Sequence, residues 1–160
     1  MNRAQRRAAA FKRAQRWDRN TVNAVTTAAL APILYHRQYT EEQAAEITNT
    51  IRMAWYRITH GEGTQDDFDT LASAANQTLV RAEAIGALAV EVALRAQDAL
   101  VAMKLRYQRL GKLGADAAAL ADVPPMLDLY QEIVRLSTAQ QMIGAAKEAR
   151  ARTERQQVVA

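Results

Sequence analysis

The stretch FDTLASAANQTLVRAEAIGALAVEVALRAQDALVAMKLRYQRL, residues 68–110, decides the fold class of this chain. Apolar or small residues recur in it every three or four positions, which is the period of one face of an α-helix. This stripe comprises Leu71, Ala75, Leu79, Ala82, Gly86, Ala89, Ala93, Ala96, Leu100, Met103 and Tyr107. An unbroken helix from 65 to 110 would be roughly 69 Å long. Because that is long for a compact chain of this size, we predict a break near Ala84 to Gly86.

A second apolar edge appears only in the later half of this stretch. It comprises Val90, Leu94, Val101 and Leu105. A helix with apolar residues on two sides is typically buried on both, so we predict that this half is the most enclosed helix of the fold. The alanines and glycine on the main stripe favour close helix–helix approach.

Helix signals continue on both sides. Thr40 to Gln43 fits a capping box, and the helix that it opens carries one apolar face made of Ile47, Ile51, Trp55 and Ile58. Thr64 is the next predicted helix start. Near the N-terminus we predict helices over 3–16 and 21–31.

The last helical region is predicted to start at Pro125, which suits the first position of a helix. A capping-box candidate at Ser137 to Gln140 leaves open whether this region is one helix or two. The residues expected to face inward are Leu129, Ile133, Leu136, Ile143 and Ala146. Beyond Lys147 the apolar stripe stops, and we expect a solvated tail.

Composition supports the same fold class. Of 160 residues 34 are alanine, whereas only three are proline and six are glycine, so helix is favoured throughout. The absence of cysteine excludes a disulfide scaffold and a cysteine nucleophile. We predict an all-α, single-domain helical bundle of about five helices over 21–157, preceded by a basic N-terminal helical arm over 1–20.

The charge is segregated along the chain. Residues 1–20 carry seven basic side chains and one acidic side chain, whereas the rest of the chain carries 14 basic and 16 acidic ones. Such an arm attracts polyanions, because each contacted phosphate releases a counterion. The predicted nucleic-acid-binding residues are Arg3, Arg6, Arg7, Lys12, Arg13 and Arg16. The alternative is an ordinary solvated helix.

A candidate protein-binding patch lies on the helix that follows Thr40. Met53, Tyr56 and Arg57 project away from its apolar face. Aromatic residues, methionine and arginine are enriched at protein interfaces. The alternative interpretation is that these side chains pack under a neighbouring helix.

Catalytic and metal sites are not expected. His36 and His60 lie in separate segments without partners at metal-ligand spacing. The acidic residues after Glu62 suit the start of a helix, and the Glu91–Arg95 spacing is that of an ordinary surface pair. We therefore expect neither an enzyme nor a cofactor or metal ion.

The chain also lacks a predicted membrane segment. Its longest uncharged run, 20–36, holds 17 residues and several polar ones, which is short for a bilayer span. We expect a cytoplasmic protein without a membrane partner.

Three stretches carry a resemblance: Met1–Ala8, Gly61–Glu83 and Leu127–Thr138. Together they resemble an uncharacterised group of small helical proteins from proteobacterial phages and plasmids. The resemblance implies a mobile genetic element as the setting, and it transfers no activity and no site residues.

Two hypotheses follow. The first is a non-enzymatic accessory protein of such an element that binds nucleic acid or a host nucleoprotein complex through the basic arm. The second is a protein-only interaction module, namely an inhibitor, adaptor or assembly factor acting on a host or phage protein. In this second case two copies could also pair through the alanine-rich helix.

Overall fold

Five α-helices follow one another in the computed structural model, which describes the backbone of residues 36–159 and the side chains of residues 36–155. They are α1 (Glu41–Thr59), α2 (Gln65–Ala82), α3 (Ala87–Leu110), α4 (Ala117–Leu136) and α5 (Ala139–Val159). All five belong to one compact unit that begins at Gln38. The predicted all-α bundle is confirmed, whereas the predicted helices over 3–16 and 21–31 lie outside the described residues.

Helix α1 begins as its sequence predicts. The Thr40 hydroxyl accepts a hydrogen bond from the Gln43 backbone N–H, and the Gln43 side chain accepts one from the Thr40 N–H. These reciprocal bonds satisfy two N–H groups that the first turn would otherwise leave unpaired. On the predicted apolar face Ile51 and Ile58 are buried, while Ile47 and Trp55 pack against the core from its edge.

Helix α2 is the centre of the bundle, because it contacts each of the other four helices. Its buried side chains include Phe68, Leu71 and Thr78. The prediction that the later half of 68–110 would be the most enclosed helix is therefore wrong. Among the described helices, the extensive contacts of α3 are with α2 and α4, and Leu94, Val101 and Leu105 of its second apolar edge are exposed.

The predicted break between α2 and α3 is confirmed at Gly86. Helix α2 ends at Ala82, and Gly86 then takes φ +146° before α3 starts at Ala87. Only glycine adopts this backbone conformation without strain, because a Cβ atom would clash with the neighbouring peptide groups. The break lets α3 fold back along α2.

Helix α4 starts eight residues before the predicted position. Asp116 is its N-cap and accepts a hydrogen bond from the Ala119 N–H at 2.9 Å, so Pro124 and Pro125 lie inside the helix. The prediction of a start at Pro125 is therefore wrong. Buried side chains stand on both sides of the prolines, among them Val123 and Met126, and this packing overrides the intrinsic cost of proline in a helix.

The last helical region is two helices, divided at Ser137. Thr138 and Gln141 form the capping bonds of α5, one position after the predicted box. Helix α5 then continues to Val159, so the predicted solvated tail beyond Lys147 is wrong: Ala149 is buried there.

Two of the side chains predicted to face inward from this region do not. Leu136 is 70% exposed and Ile143 is 38% exposed, whereas Met142 and Ala145 are buried. The apolar face of α5 is thus shifted by one residue from the predicted stripe. The reason is that α5 starts after the turn at Ser137 and does not continue the helical register of α4.

The core is built from small side chains. Among the described residues, 11 of the 25 buried apolar side chains are alanines. Small side chains at helix contacts favour close approach of the helices. Three methionines, Met103, Met126 and Met142, are also buried, and their flexible side chains suit irregular spaces between helices.

Candidate interaction surfaces

The predicted nucleic-acid-binding residues lie outside the described residues. They are Arg3, Arg6, Arg7, Lys12, Arg13 and Arg16. The structure does show how many basic side chains of the bundle are left without an acidic neighbour.

Most basic side chains of the bundle are neutralised by a neighbour. Of the 14 basic residues after residue 20, eight arginines are in ion pairs within the described residues. Arg52, for example, bonds to Asp128 at 2.6 Å and ties α1 to α4. With 16 acidic residues in the same part of the chain, the bundle offers little attraction to a polyanion.

The basic residues near the C-terminus illustrate this neutralisation. Arg152 donates two hydrogen bonds to the Glu83 carboxylate at 2.6 and 2.9 Å and a third to Glu148 at 2.9 Å. Arg155 also bonds to Glu148, and Arg150 bonds to Glu154. The Arg152 hydrogen bonds lower the pKa of the Glu83 carboxyl. These arginines therefore attach α5 to the end of α2 and to itself.

The candidate protein-binding patch on α1 divides into two parts. Met53 is 49% exposed and Tyr56 is 51% exposed, so both present apolar surface to solvent. The Tyr56 ring stacks on His60 with centroids 3.9 Å apart, and the His60 Nδ1 atom lies 2.8 Å from the Tyr56 carbonyl oxygen. The second part is Arg57, which points toward the α1–α2 turn.

Arg57 donates hydrogen bonds to Asp67 from both Nε and a terminal nitrogen of its guanidinium group. Asp67 has a buried side chain and also closes the capping box of α2, where it accepts from the Thr64 N–H at 2.9 Å. The hydrogen bond from Arg57 is the largest cause, and that from the Thr64 N–H the second, of a pKa of the Asp67 carboxyl that lies well below its usual range. Arg57 thus locks the turn between α1 and α2, and Met53 and Tyr56 are the part of the patch that is free to bind.

The outward face of α3 is the second apolar surface. Leu94, Val101 and Leu105 are 45, 58 and 55% exposed, whereas Ala93, Ala96 and Leu100 on the opposite face are buried. Three large apolar side chains in one row are unusual on the solvent face of a helix, which is normally polar. Such a row marks an interaction surface more often than single exposed apolar residues do.

A half-open cleft of about 200 Å³ lies between α1, α2, α4 and α5. Its lining includes Tyr39, Gln77, Tyr130 and Met142. The pKa of Tyr130 is raised to about 12, mainly by burial and to a smaller extent by the nearby Tyr39. The phenol therefore stays protonated, and the cleft is neutral and mainly apolar.

Two carboxylates of α3 are of the kind that can carry out acid–base chemistry. Glu91 and Asp98 are both exposed, and Glu91 lies 3.6 Å from Arg95 as its spacing predicts. Within residues 36–159 no three metal-ligating side chains are placed to hold an ion. In the same part of the chain no helix has the length and apolar character needed to cross a membrane.

Comparison with known proteins finds no match: no protein family, curated protein or solved structure is similar to this chain.

For Met53 and Tyr56 the sequence leaves open whether they lie at the surface or under a neighbouring helix, and in the structure both are about half exposed. The exposed face of α3 is missing from the sequence-based predictions. The sequence shows the residues of that face as an apolar edge and predicts that they are buried. The number of neighbouring helices could have distinguished a buried apolar edge from an exposed one, because a bundle of this size has too few helices to cover α3 on every side. Arg152 and Glu83 were also missed as a pair, since 69 residues separate them.

Proposed function

We propose that this protein is a non-enzymatic binding protein that contacts nucleic acid, or a nucleoprotein complex, through residues 1–20. The observation that carries the proposal is the segregation of charge: the arm has a net charge of +6, whereas residues 21–160 have a net charge of −2. The ion pairs of the bundle strengthen the contrast, because they leave few basic side chains there for phosphates. Electrostatic contacts of this kind are independent of nucleotide sequence.

The proposed setting is a phage or plasmid, with the protein acting in the cytoplasm of its host. This part rests on the resemblance of Met1–Ala8, Gly61–Glu83 and Leu127–Thr138 to proteins of such elements. The genes that flank its coding sequence test it. Replication, packaging or transfer genes next to it would support the setting, and housekeeping genes on both sides would contradict it.

The binding proposal is tested with the full-length chain and a labelled random-sequence duplex, at salt concentrations from about 50 to about 300 mM. Log affinity should fall linearly with log salt, with a slope of about −0.9 for each phosphate contacted. A variant in which Arg3, Arg6, Arg7, Lys12, Arg13 and Arg16 are all changed to Gln should lose about five units of this slope.

The matched control changes three basic residues of the bundle to Gln. They are Lys104, Lys112 and Lys147, which form no ion pair within the described residues. This control should keep most of the slope and affinity. Absent binding, or an arm variant that binds as tightly as the unchanged protein, would disprove the proposal.

A protein-only interaction module is the second candidate, and the exposed Met53 and Tyr56 on α1 favour it. Apolar contacts respond weakly to salt, so a host or phage protein bound there should dissociate at nearly the same concentration throughout the salt series. Met53→Gln and Tyr56→Gln should weaken that complex. Changing the six basic residues of the arm should leave it intact.

A further inference from the structure

Three large apolar side chains on α3 face away from the bundle. At about 100° per residue, Leu94, Val101 and Leu105 lie within about 40° of one another around the helix. Their mean direction is about 155° from that of the buried residues of α3, so they occupy the middle of the outward face. Their exposure of 45–58% agrees with this position.

We propose that this row pairs with the same row of a second copy of this chain, with the two α3 helices antiparallel. The inference does not depend on the proposed nucleic-acid binding. It rests on the exposed row and on the positions of the charged residues beside it.

When a twofold axis relates two copies of the chain, the acidic residue beside the row in one copy faces the basic residue beside the row in the other. Glu91 and Arg109 are 18 residues apart, which is about five full helical turns, so they lie on the same side of the row. Their midpoint is residue 100, and the midpoint of Leu94 and Leu105 falls within half a residue of it. Antiparallel pairing about this point places Glu91 of each copy opposite Arg109 of the other, because the same side of both helices then meets.

The apolar contacts fall into the same register. Leu94 of one copy lies level with Leu105 of the other, and Val101 lies about 1.5 Å along the helix from the twofold axis. Parallel pairing lacks the charge match, because Glu91 would then lie level with Glu91 and about 27 Å from Arg109.

One residue weakens the pairing. Asp98 lies on the same side of the row as Glu91, close to the axis, so its two copies would lie about 6 Å apart along the helix direction. Like charges at this separation repel, although solvent reduces the effect. The proposal therefore predicts that neutralising Asp98 strengthens the pair.

The size of the face sets the expected affinity. A helix of 24 residues is about 36 Å long, and a face about 10 Å wide gives about 360 Å² for each copy. Stable interfaces bury about 800 Å² for each partner. An interface this small belongs to the weak, transient class, so we expect a dimer that forms only at high protein concentration.

Sedimentation equilibrium of the full-length protein, from about 5 to about 500 µM, tests the proposal over the range in which a weak dimer forms. Leu105→Gln and Val101→Gln should each raise the Kd at least tenfold, because both remove central contacts. Leu88→Gln is the matched control: Leu88 is 81% exposed on the same helix, about 120° away from the row. It should leave the Kd unchanged, and circular dichroism should show native helix content in all three variants.

Charge exchange tests the orientation. Glu91→Arg and Arg109→Glu should each raise the Kd several-fold, and the double variant should restore it. Asp98→Asn should lower the Kd about two- to threefold.

The outcomes are distinct from those of the nucleic-acid experiment. A protein that stays monomeric at the highest concentration overturns the proposal, as does a dimer that Leu105→Gln leaves intact. A dimer whose double charge variant is weaker than either single variant overturns the antiparallel register.

Discussion

Arg152 on α5 and Glu83 at the end of α2 form a bidentate ion pair, although 69 residues of sequence separate them. The two nitrogen–oxygen distances are 2.6 and 2.9 Å. The pair explains why α5 continues in contact with the bundle beyond its apolar residues. The planar guanidinium group matches the two oxygens of a carboxylate, which fixes the orientation of α5 as well as its distance.

Changing Arg152 to Gln should loosen the end of α5. The pair is partly exposed, so the loss of global stability should be small, and the effect should appear as local opening. We expect amide hydrogens of residues 150–159 to exchange several-fold faster, whereas those of α2 remain unchanged. Arg150→Gln, which removes only a pair within α5, is the control. Equal acceleration in both variants would contradict the role given to Arg152.

Changing Asp67 to Asn should destabilise the protein by about 1–2 kcal/mol at neutral pH, because the charge-assisted bond to Arg57 and part of the capping box are lost. Urea unfolding measures this difference. Asp66→Asn is the control, since Asp66 lies in the same first turn and is exposed.

The same pair predicts a pH dependence. The folded-state pKa of Asp67 is lowered, so its contribution is fully present above the unfolded pKa of about 3.9 and is lost as pH falls below it toward the folded value. The stability difference between the unchanged protein and Asp67→Asn should therefore shrink between about pH 4 and pH 2. A difference that stays constant over this interval would show that the charge of Asp67 is not the cause.

Two glycine substitutions should have opposite effects. Gly86 has φ +146° and open space at its Cβ position, so Gly86→Ala should cost about 1–3 kcal/mol through backbone strain alone. Gly144 lies inside α5, also with open space, so Gly144→Ala should stabilise the protein by about 0.5–1 kcal/mol. Thermal unfolding distinguishes the two, and a stabilising Gly86→Ala would show that the break does not need glycine.

Ser137 should tolerate alanine. Its side chain is buried, and its hydroxyl has no hydrogen-bond partner among the described residues. Removing an unsatisfied buried hydroxyl is neutral or stabilises by up to about 1 kcal/mol. Thr78→Val is the comparison, because the buried Thr78 hydroxyl donates to the Ala74 carbonyl at 2.8 Å, and its loss should cost about 1 kcal/mol. A destabilising Ser137→Ala, measured by urea unfolding, would show that the hydroxyl has a partner.

Local signals were predictable from the sequence because their causes are local. Thr40 and Gln43 form their capping bonds with residues three positions away, and Gly86 breaks the helix through its own backbone. The apolar spacing from Ile47 to Ile58 identified the buried face of α1 for the same reason.

The errors arise where a distant contact overrides the local pattern. Pro125 is a good helix start by itself, but packing around Val123 and Met126 extends α4 through it. The segment beyond Lys147 is polar, yet Glu83 holds it in place. Leu94 and Leu105 do form an apolar edge, but whether such an edge is buried depends on how many helices surround α3. For the candidate sites, sequence singles out Met53, Tyr56 and Arg57 together but does not decide whether they are exposed, and it does not indicate the bond between Arg57 and Asp67.

The alanine-rich core has a consequence for how this sequence can vary over time. An alanine at a close helix contact cannot be enlarged without pushing the helices apart, and a smaller residue would weaken the helix itself. Variation inside the bundle should therefore concentrate at Met103, Met126 and Met142, since leucine or isoleucine can occupy nearly the same volume. Relatives that have diverged in most other positions should still keep small residues where α2 and α3 meet.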